Sequence, residues 1–211
     1  AVNGRLAPSV GTCMVMGTAS TMACITETLG LSLPMSATIP APHSERIRSA
    51  ELSGKRAAEM AVTGGPRPSE LLTPAAFRNA QVVLQAIGGS TNGLIHLTAI
   101  ANRSPHRIDL AAFDQLGREV PVLIDLKPSG AHYMEHFHHA GGVPKLMKQL
   151  GDLIDLDAKT IAGGTLRDVV ANAEEVPGQD AIRPRYNPIN REGAMAVLHG
   201  NLAPPGAVIN Q

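Results

Sequence analysis

A chain of 211 residues with 44% apolar and 17% charged side chains can bury one sizeable core, which excludes an intrinsically disordered chain. Its 18 basic and 18 acidic residues cancel, and with three Phe, two Tyr and no Trp it has neither the net positive charge nor the stacking platforms of a nucleic-acid binder. No apolar stretch has the length of a membrane span, and Ala1 to Val10 carry no basic region followed by an apolar run, so a soluble, cytoplasmic protein with a small neutral or anionic ligand is expected.

Thr18 to Leu29 predicts the first helix, with Ala19, Met22, Ala23, Ile25, Thr26 and Leu29 on a broad apolar face and Gly30 as its stop. Leu31 to Pro42 reads as extended and proline-punctuated, after which Ser44 is expected to cap a helix through about Val62, with Glu45 in its first turn. Thr63 to Ser69 reads as a loop. Thr73-Pro74 is a strong helix start, and the apolar spacing from Phe77 to Ile87 carries that helix to Gly88-Gly89. The next helix follows Ser90-Thr91-Asn92 and runs through Ile100, apolar on most sides and expected to be deeply buried. Asp109 to Leu116 predicts a short helix.

Pro121 to Leu126 has the length and apolar content of a buried strand, turned by Lys127-Pro128-Ser129-Gly130. Tyr133 to Ala140 and Val143 to Leu150 read as two helical pieces divided by Gly141-Gly142. Lys159 to Ala162 predicts another short strand, leading by Gly163-Gly164 into a helix from Thr165 to Glu174. This alternation predicts an α/β fold, a layered α/β/α domain with a small, mainly parallel sheet. Val176 to Asn190, rich in Pro, Arg and Asn, reads as an exposed connection, and Ala194 to Leu198 and Ala207 to Ile209 read as short strands.

Two cysteines are too few for a disulfide framework, and the spacing of Cys13 and Cys24 is not that of a zinc pair. Cys13 lies in a glycine-flanked loop before the first helix, where free N–H groups and the helix dipole favour a thiolate able to bind a soft metal or a cluster. Cys24, between Ala23 and Ile25, reads as a packing residue. Ser90, Thr91 and Asn92 after two glycines offer N–H groups and hydroxyls to a substrate carboxylate, and equally read as a helix stop followed by a cap. Among His132, His136, His138 and His139, positions i and i+4 share a helix face, but with no third ligand in view and Glu135 expected to point elsewhere they read as a histidine-rich surface with at most adventitious zinc or nickel affinity. Arg46, Arg48, Lys55 and Arg56 are interleaved with Glu45, Glu51 and Glu59, the pattern of a solvated, salt-bridged face.

Several spaced motifs occur in order: Gly11 to Met22 (GTCMVMGTASTM), Leu29 to Pro34 (LGLSLP), Ile39-Pro40-Ala41, Gly88 to Asn92 (GGSTN) with His96 to Ala101, Asp125 to Gly130 (DLKPSG), Tyr133-Met134-Glu135 with Ala140-Gly141-Gly142, and Gly200 to Ile209 (GNLAPPGAVI). Together they resemble the dihydroxy-acid and sugar-acid dehydratase family over nearly the whole chain, its sugar-acid branch in particular. The resemblance implies dehydration of a 2,3-dihydroxy carboxylate to a 2-keto acid with a 2Fe–2S cluster and Mg2+, the cluster acting as Lewis acid toward the departing hydroxyl and the magnesium holding the carboxylate end. It aligns Cys13 with the last of three cluster cysteines. The other two, the magnesium ligands and the serine base are expected outside this chain, so that the chain alone is expected to be inactive. It further implies a domain truncated at its N-terminal side over residues 1–175, a connection over 176–193, the start of a C-terminal β-barrel domain over 194–211, and a homo-oligomer. An aldonate such as arabinonate or xylonate is the first substrate expectation. Dihydroxy-acid dehydratase of branched-chain amino-acid synthesis is the alternative, and a non-catalytic structural remnant is the alternative of another class.

Overall fold

Local chemistry sets most helix ends in the computed structural model, which describes residues 14–211. The elements are α1 (Thr18–Thr28), α2 (Ser44–Thr63), α3 (Pro68–Leu71), α4 (Pro74–Ala86), α5 (Thr91–Ala101), α6 (Leu110–Gly117), α7 (Met134–His139), α8 (Gly142–Leu150), α9 (Leu166–Ala171), β1 (Met195–Leu198) and β2 (Ala207–Asn210). α1 stops at Gly30, whose φ of +73° ends the helical run. Thr73 caps α4 by accepting from the Ala76 N–H at 3.2 Å, with Pro74 as the first helical residue. Asp109 caps α6 through the Ala112 N–H at 2.8 Å. The four-residue α3 falls at the edge of the stretch expected to be a loop; Pro68 opens it and Glu70 caps it from within by accepting from the Arg67 N–H at 2.7 Å.

α1 and α4 divide the core. Cys24 of α1 and Val82, Val83 and Ala86 of α4 face one apolar cluster, which is completed by the 123–126 segment, α7 and α8. Ile25 of α1 and Leu29 at its C-cap, with Phe77, Ala80 and Leu84 of α4, face a second cluster, completed by α5, α6 and β1. Fully burying each Val, Leu, Ile or Phe among them contributes about 1.5–3 kcal/mol, so these two helices anchor the domain from both sides. α5 departs from its expected deep burial. Leu94, Leu97 and Ala101 are buried, but Ile95 is 65% exposed, because the helix lies on the surface of the second cluster and not within it.

The described residues form a mostly helical α/β fold whose one sheet is the antiparallel pair β1–β2, with Met195 opposite Asn210. The small, mainly parallel sheet expected from the sequence is not seen among them. The 121–126 run is buried and extended as expected, but it makes single bridges, Val122 to Asn190, Ile124 to Ile182 and Leu126 to His132. The cause lies in the partner: between Ile182 and Asn190 the chain carries Pro184 and Pro188, which cannot donate to a ladder, and it turns out through the Asn187 N–H to Pro184 carbonyl bond at 2.9 Å. The 176–190 connection is therefore exposed only in part, with Ala181 and Ile182 3% and 2% exposed. Lys159 to Ala162 is likewise reduced to one bridge, Lys159 to Thr165, and its Ile161 N–H donates to Gly30 instead.

The β1–β2 hairpin is attached by side chains standing in for a strand. The buried Gln85 of α4 accepts from the Met195 N–H at 2.8 Å and donates to the Met195 carbonyl at 3.1 Å. Asp114 of α6 accepts from the Val197 N–H at 2.7 Å. Gln85→Leu keeps the volume but leaves both Met195 backbone groups unpaired in the core, costing about 2–4 kcal/mol. Amide exchange is expected to accelerate selectively at Met195, whose N–H the amide holds; unchanged protection there would remove the amide as the anchor.

Candidate functional site

The motifs, distant in sequence, come together at the N-terminal ends of α1 and α5. Thr18 Oγ1 and Ser90 Oγ lie 3.0 Å apart, and Asn92 Nδ2 donates to Thr18 Oγ1 at 3.1 Å. Ser90 N–H donates to Thr21 Oγ1 at 3.0 Å, while Ser90 Oγ accepts from Asn92 N–H as the cap of α5. Gly89 and Gly93 permit this approach, because a Cβ on either would meet Thr21 Cγ2 at 2.8 Å. The structural duties of Gly88-Gly89-Ser90-Thr91-Asn92 thus account for the glycines and Ser90, and leave half-buried Thr91 and exposed Asn92 on the rim.

The backbone leaving Cys13 is fastened to the same place. Met16 N–H donates to the Lys127 carbonyl at 2.8 Å and Met134 N–H to the Met14 carbonyl at 2.8 Å. Ser20 Oγ donates to the Val15 carbonyl at 3.0 Å. Lys127 Nζ donates to Tyr133 Oη at 2.7 Å and lies 4.2 Å from its ring centroid, so the turn after 121–126 and the start of α7 form one clamp. Asp125 shapes that turn: Oδ1 accepts from the Ala131 N–H at 2.8 Å, and this bond, with the Arg183 guanidinium at 3.2 Å, holds its carboxyl below the usual range. Cys13 itself lies outside the described residues. Two adjacent helix N-termini concentrate partial positive charge here.

Cys24 takes no part in this. It is fully buried, and burial, reinforced by Glu27, pushes its thiol well above the usual range, as its packing role requires. A cluster needs several thiolates, so Cys13 and Cys24, the two cysteines of this chain, do not complete a cluster site.

The histidines divide into two groups. His132 Nε2 lies 3.1 Å from Asp180, and His136 Nδ1 accepts from the Tyr133 N–H at 3.1 Å. His138 is buried with Thr38 Oγ1 at 3.0 Å from one ring nitrogen and Glu45 at 3.1 Å from the other. The expectation that Glu135 points away from the other ligands is corrected: Glu135 and His139, at i and i+4 on α7, both approach His43. The basic residues of α2 are paired as expected, Lys55 with Glu51 at 2.6 Å and Arg56 with Glu59 at 3.1 Å, while Arg46 and Arg56 also hold the carbonyls of Ile39 and Ile161.

Thr18, Thr21, Lys127 and Tyr133 each fall within a sequence motif, but only the tertiary contacts bring them together.

Over residues 1–169 the chain matches the model described as dihydroxy-acid/6-phosphogluconate dehydratase N-terminal. The chain belongs to that family. It is 42% identical over 209 residues to the dihydroxy-acid dehydratase of Acetivibrio thermocellus, covering 98% of this chain and 37% of the relative. It is 45% identical over 204 residues to that of Pelobacter propionicus, covering 97% and 36%, and 44% identical over 212 residues to that of a Synechococcus species, covering 99% and 38%. The chain therefore spans less than two fifths of the length of these relatives. No helix among the described residues is long and apolar enough to cross a membrane.

Proposed function

We propose that this chain is part of a hydro-lyase that dehydrates a 2,3-dihydroxy carboxylate to a 2-keto acid. The observation that carries the reading is the meeting of the α1 and α5 N-termini beside the Met14–Met16 segment. There, the free N–H groups would receive the substrate carboxylate, Thr91 and Asn92 its hydroxyls, and Ser90 would hold the turn in register. Cys13 would supply one thiolate to a 2Fe–2S cluster, with the remaining cluster cysteines, the Mg2+ ligands and the serine base coming from other segments. This chain's own residues do not complete that site.

The relatives' name favours the branched dihydroxy acid of amino-acid synthesis over an aldonate such as arabinonate or xylonate. On the same reading residues 1–175 belong to the N-terminal domain, 176–193 connect, and the hairpin within 194–211 opens a β-barrel domain, in a cytoplasmic homo-oligomer.

The test grafts this chain into the matching stretch of the Acetivibrio thermocellus relative. The chimera is expected to dehydrate the branched dihydroxy acid, Cys13→Ala to abolish its visible cluster absorption and turnover, and Asn92→Ala to raise KM about tenfold. Turnover of an aldonate in preference would reverse the substrate reading, and a cluster spectrum surviving Cys13→Ala would remove Cys13 as a ligand.

A further inference from the structure

Away from the α1–α5 junction, two imidazoles and a carboxylate converge where α2 begins. We propose that His43, Glu135 and His139 form a binding site for a divalent transition metal of the Zn2+ type, which ties the start of α2 to α7. One ligand atom from each residue lies within 4.8 Å of the other two. His43 Nε2 is 3.8 Å from a Glu135 carboxylate oxygen, and the His43 and His139 rings are stacked with centroids 5.8 Å apart. Two ligands on one tetrahedral zinc sit roughly 3.3–3.5 Å apart, so rotations of about an ångström in partly exposed side chains close the set.

The geometry has a local origin. Glu135 and His139 are one helical turn apart on α7, and His43 occupies the N-cap position of α2, which aims its ring across at them. The neighbouring His138 is not a ligand, since both of its ring nitrogens are engaged by Thr38 and Glu45. Its ring stands edge-on to His43, with centroids 6.2 Å apart, and so positions it. Two imidazoles and one carboxylate suit Zn2+ or its neighbours better than Ca2+ or Mg2+, which take oxygen ligands, or Cu(I), which takes sulfur. The site also has mechanical work to do: none of the residues of α2 is buried, and its tethers to the body include the arginine contacts of Arg46 and Arg56. A metal at its N-cap would fix an end that few packing contacts hold.

The experiment is a calorimetric titration of the 211-residue chain with ZnCl2, together with thermal melts and a Co2+ absorption spectrum. One equivalent of Zn2+ is expected to bind and to raise Tm by mass action. His43→Ala and Glu135→Gln should each weaken affinity by about tenfold or more and abolish the Tm shift, whereas His132→Ala should leave both unchanged. Glu135 is exposed, so Glu135→Gln tests the site even if His43→Ala disturbs α2, and far-UV circular dichroism checks both folds. Co2+ should give d–d bands without a thiolate charge-transfer band, which separates this site from Cys13. Affinity retained in Glu135→Gln, lost in His132→Ala, or accompanied only by a thiolate band would overturn the assignment.

Discussion

Gly30→Ala is expected to lower the stability of the domain by about 3–4 kcal/mol, read as a shift in the urea midpoint without change of slope. Gly30 sits at φ +73°, and an added Cβ would lie 2.3 Å from the Lys159 carbonyl oxygen and 3.0 Å from Thr160 Cα. Both obstacles are backbone, and neither can rotate away. Relieving them would move apart two segments joined by the Ile161 N–H to Gly30 carbonyl bond at 2.8 Å, so the conformational strain and the lost contact add. Gly54→Ala is the contrasting control. It lies within α2 with nothing within 4 Å of an added Cβ, and alanine there should stabilise by about 0.5–1 kcal/mol. Equal effects at the two positions would contradict the steric account.

The second large effect centres on Glu27, a carboxyl buried in α1 that accepts from the Met35 N–H at 2.8 Å and the Ala37 N–H at 2.9 Å. These bonds hold a segment in which Met35 adopts φ +67°, a conformation side-chain-bearing residues seldom take. Glu27→Ala leaves both donors unpaired and is expected to cost about 3 kcal/mol. The pH dependence is equally specific. Burial, prevailing over the two N–H bonds, pushes the carboxyl up from 4.5 to about 7. Between those values the folded chain holds a proton that the unfolded chain has lost. The contribution is therefore complete below pH 4.5 and declines as pH rises to about 7, by up to about 3 kcal/mol. Glu27→Gln should remove this slope from urea midpoints measured at pH 5, 6 and 7; a slope that persists would assign it to other groups.

The legible parts of the fold are those with local causes. Gly30, Thr73-Pro74 and Asp109 mark helix ends through their own backbone and side-chain chemistry, and the structure has each helix ending or starting there. The pairing of the 121–126 run depends instead on a segment far along the chain whose prolines prevent a ladder, so apolar content predicted burial without predicting sheet. α5 shows the same limit: its composition is apolar nearly all round, but which side faces the core depends on where α1 and α4 lie. At the site, the motifs were readable one by one and the resemblance supplied their chemistry. That Thr18 touches Ser90 and Asn92 was not readable, because no periodicity links helices so distant in sequence. His43 escaped notice for a related reason: helical spacing singled out the histidines of α7, and the ligand set crosses to the end of another helix.

The attachment of the hairpin gives the sheet a direction of growth. Gln85 and Asp114 occupy the N–H groups on the outer side of β1, so that margin is already closed by helices. β2 has no further strand beside it among the described residues, and its four residues are largely exposed. Any additional strand, from this protein or another chain, can therefore join only alongside Ala207–Asn210, in a register set by the backbone groups left open there.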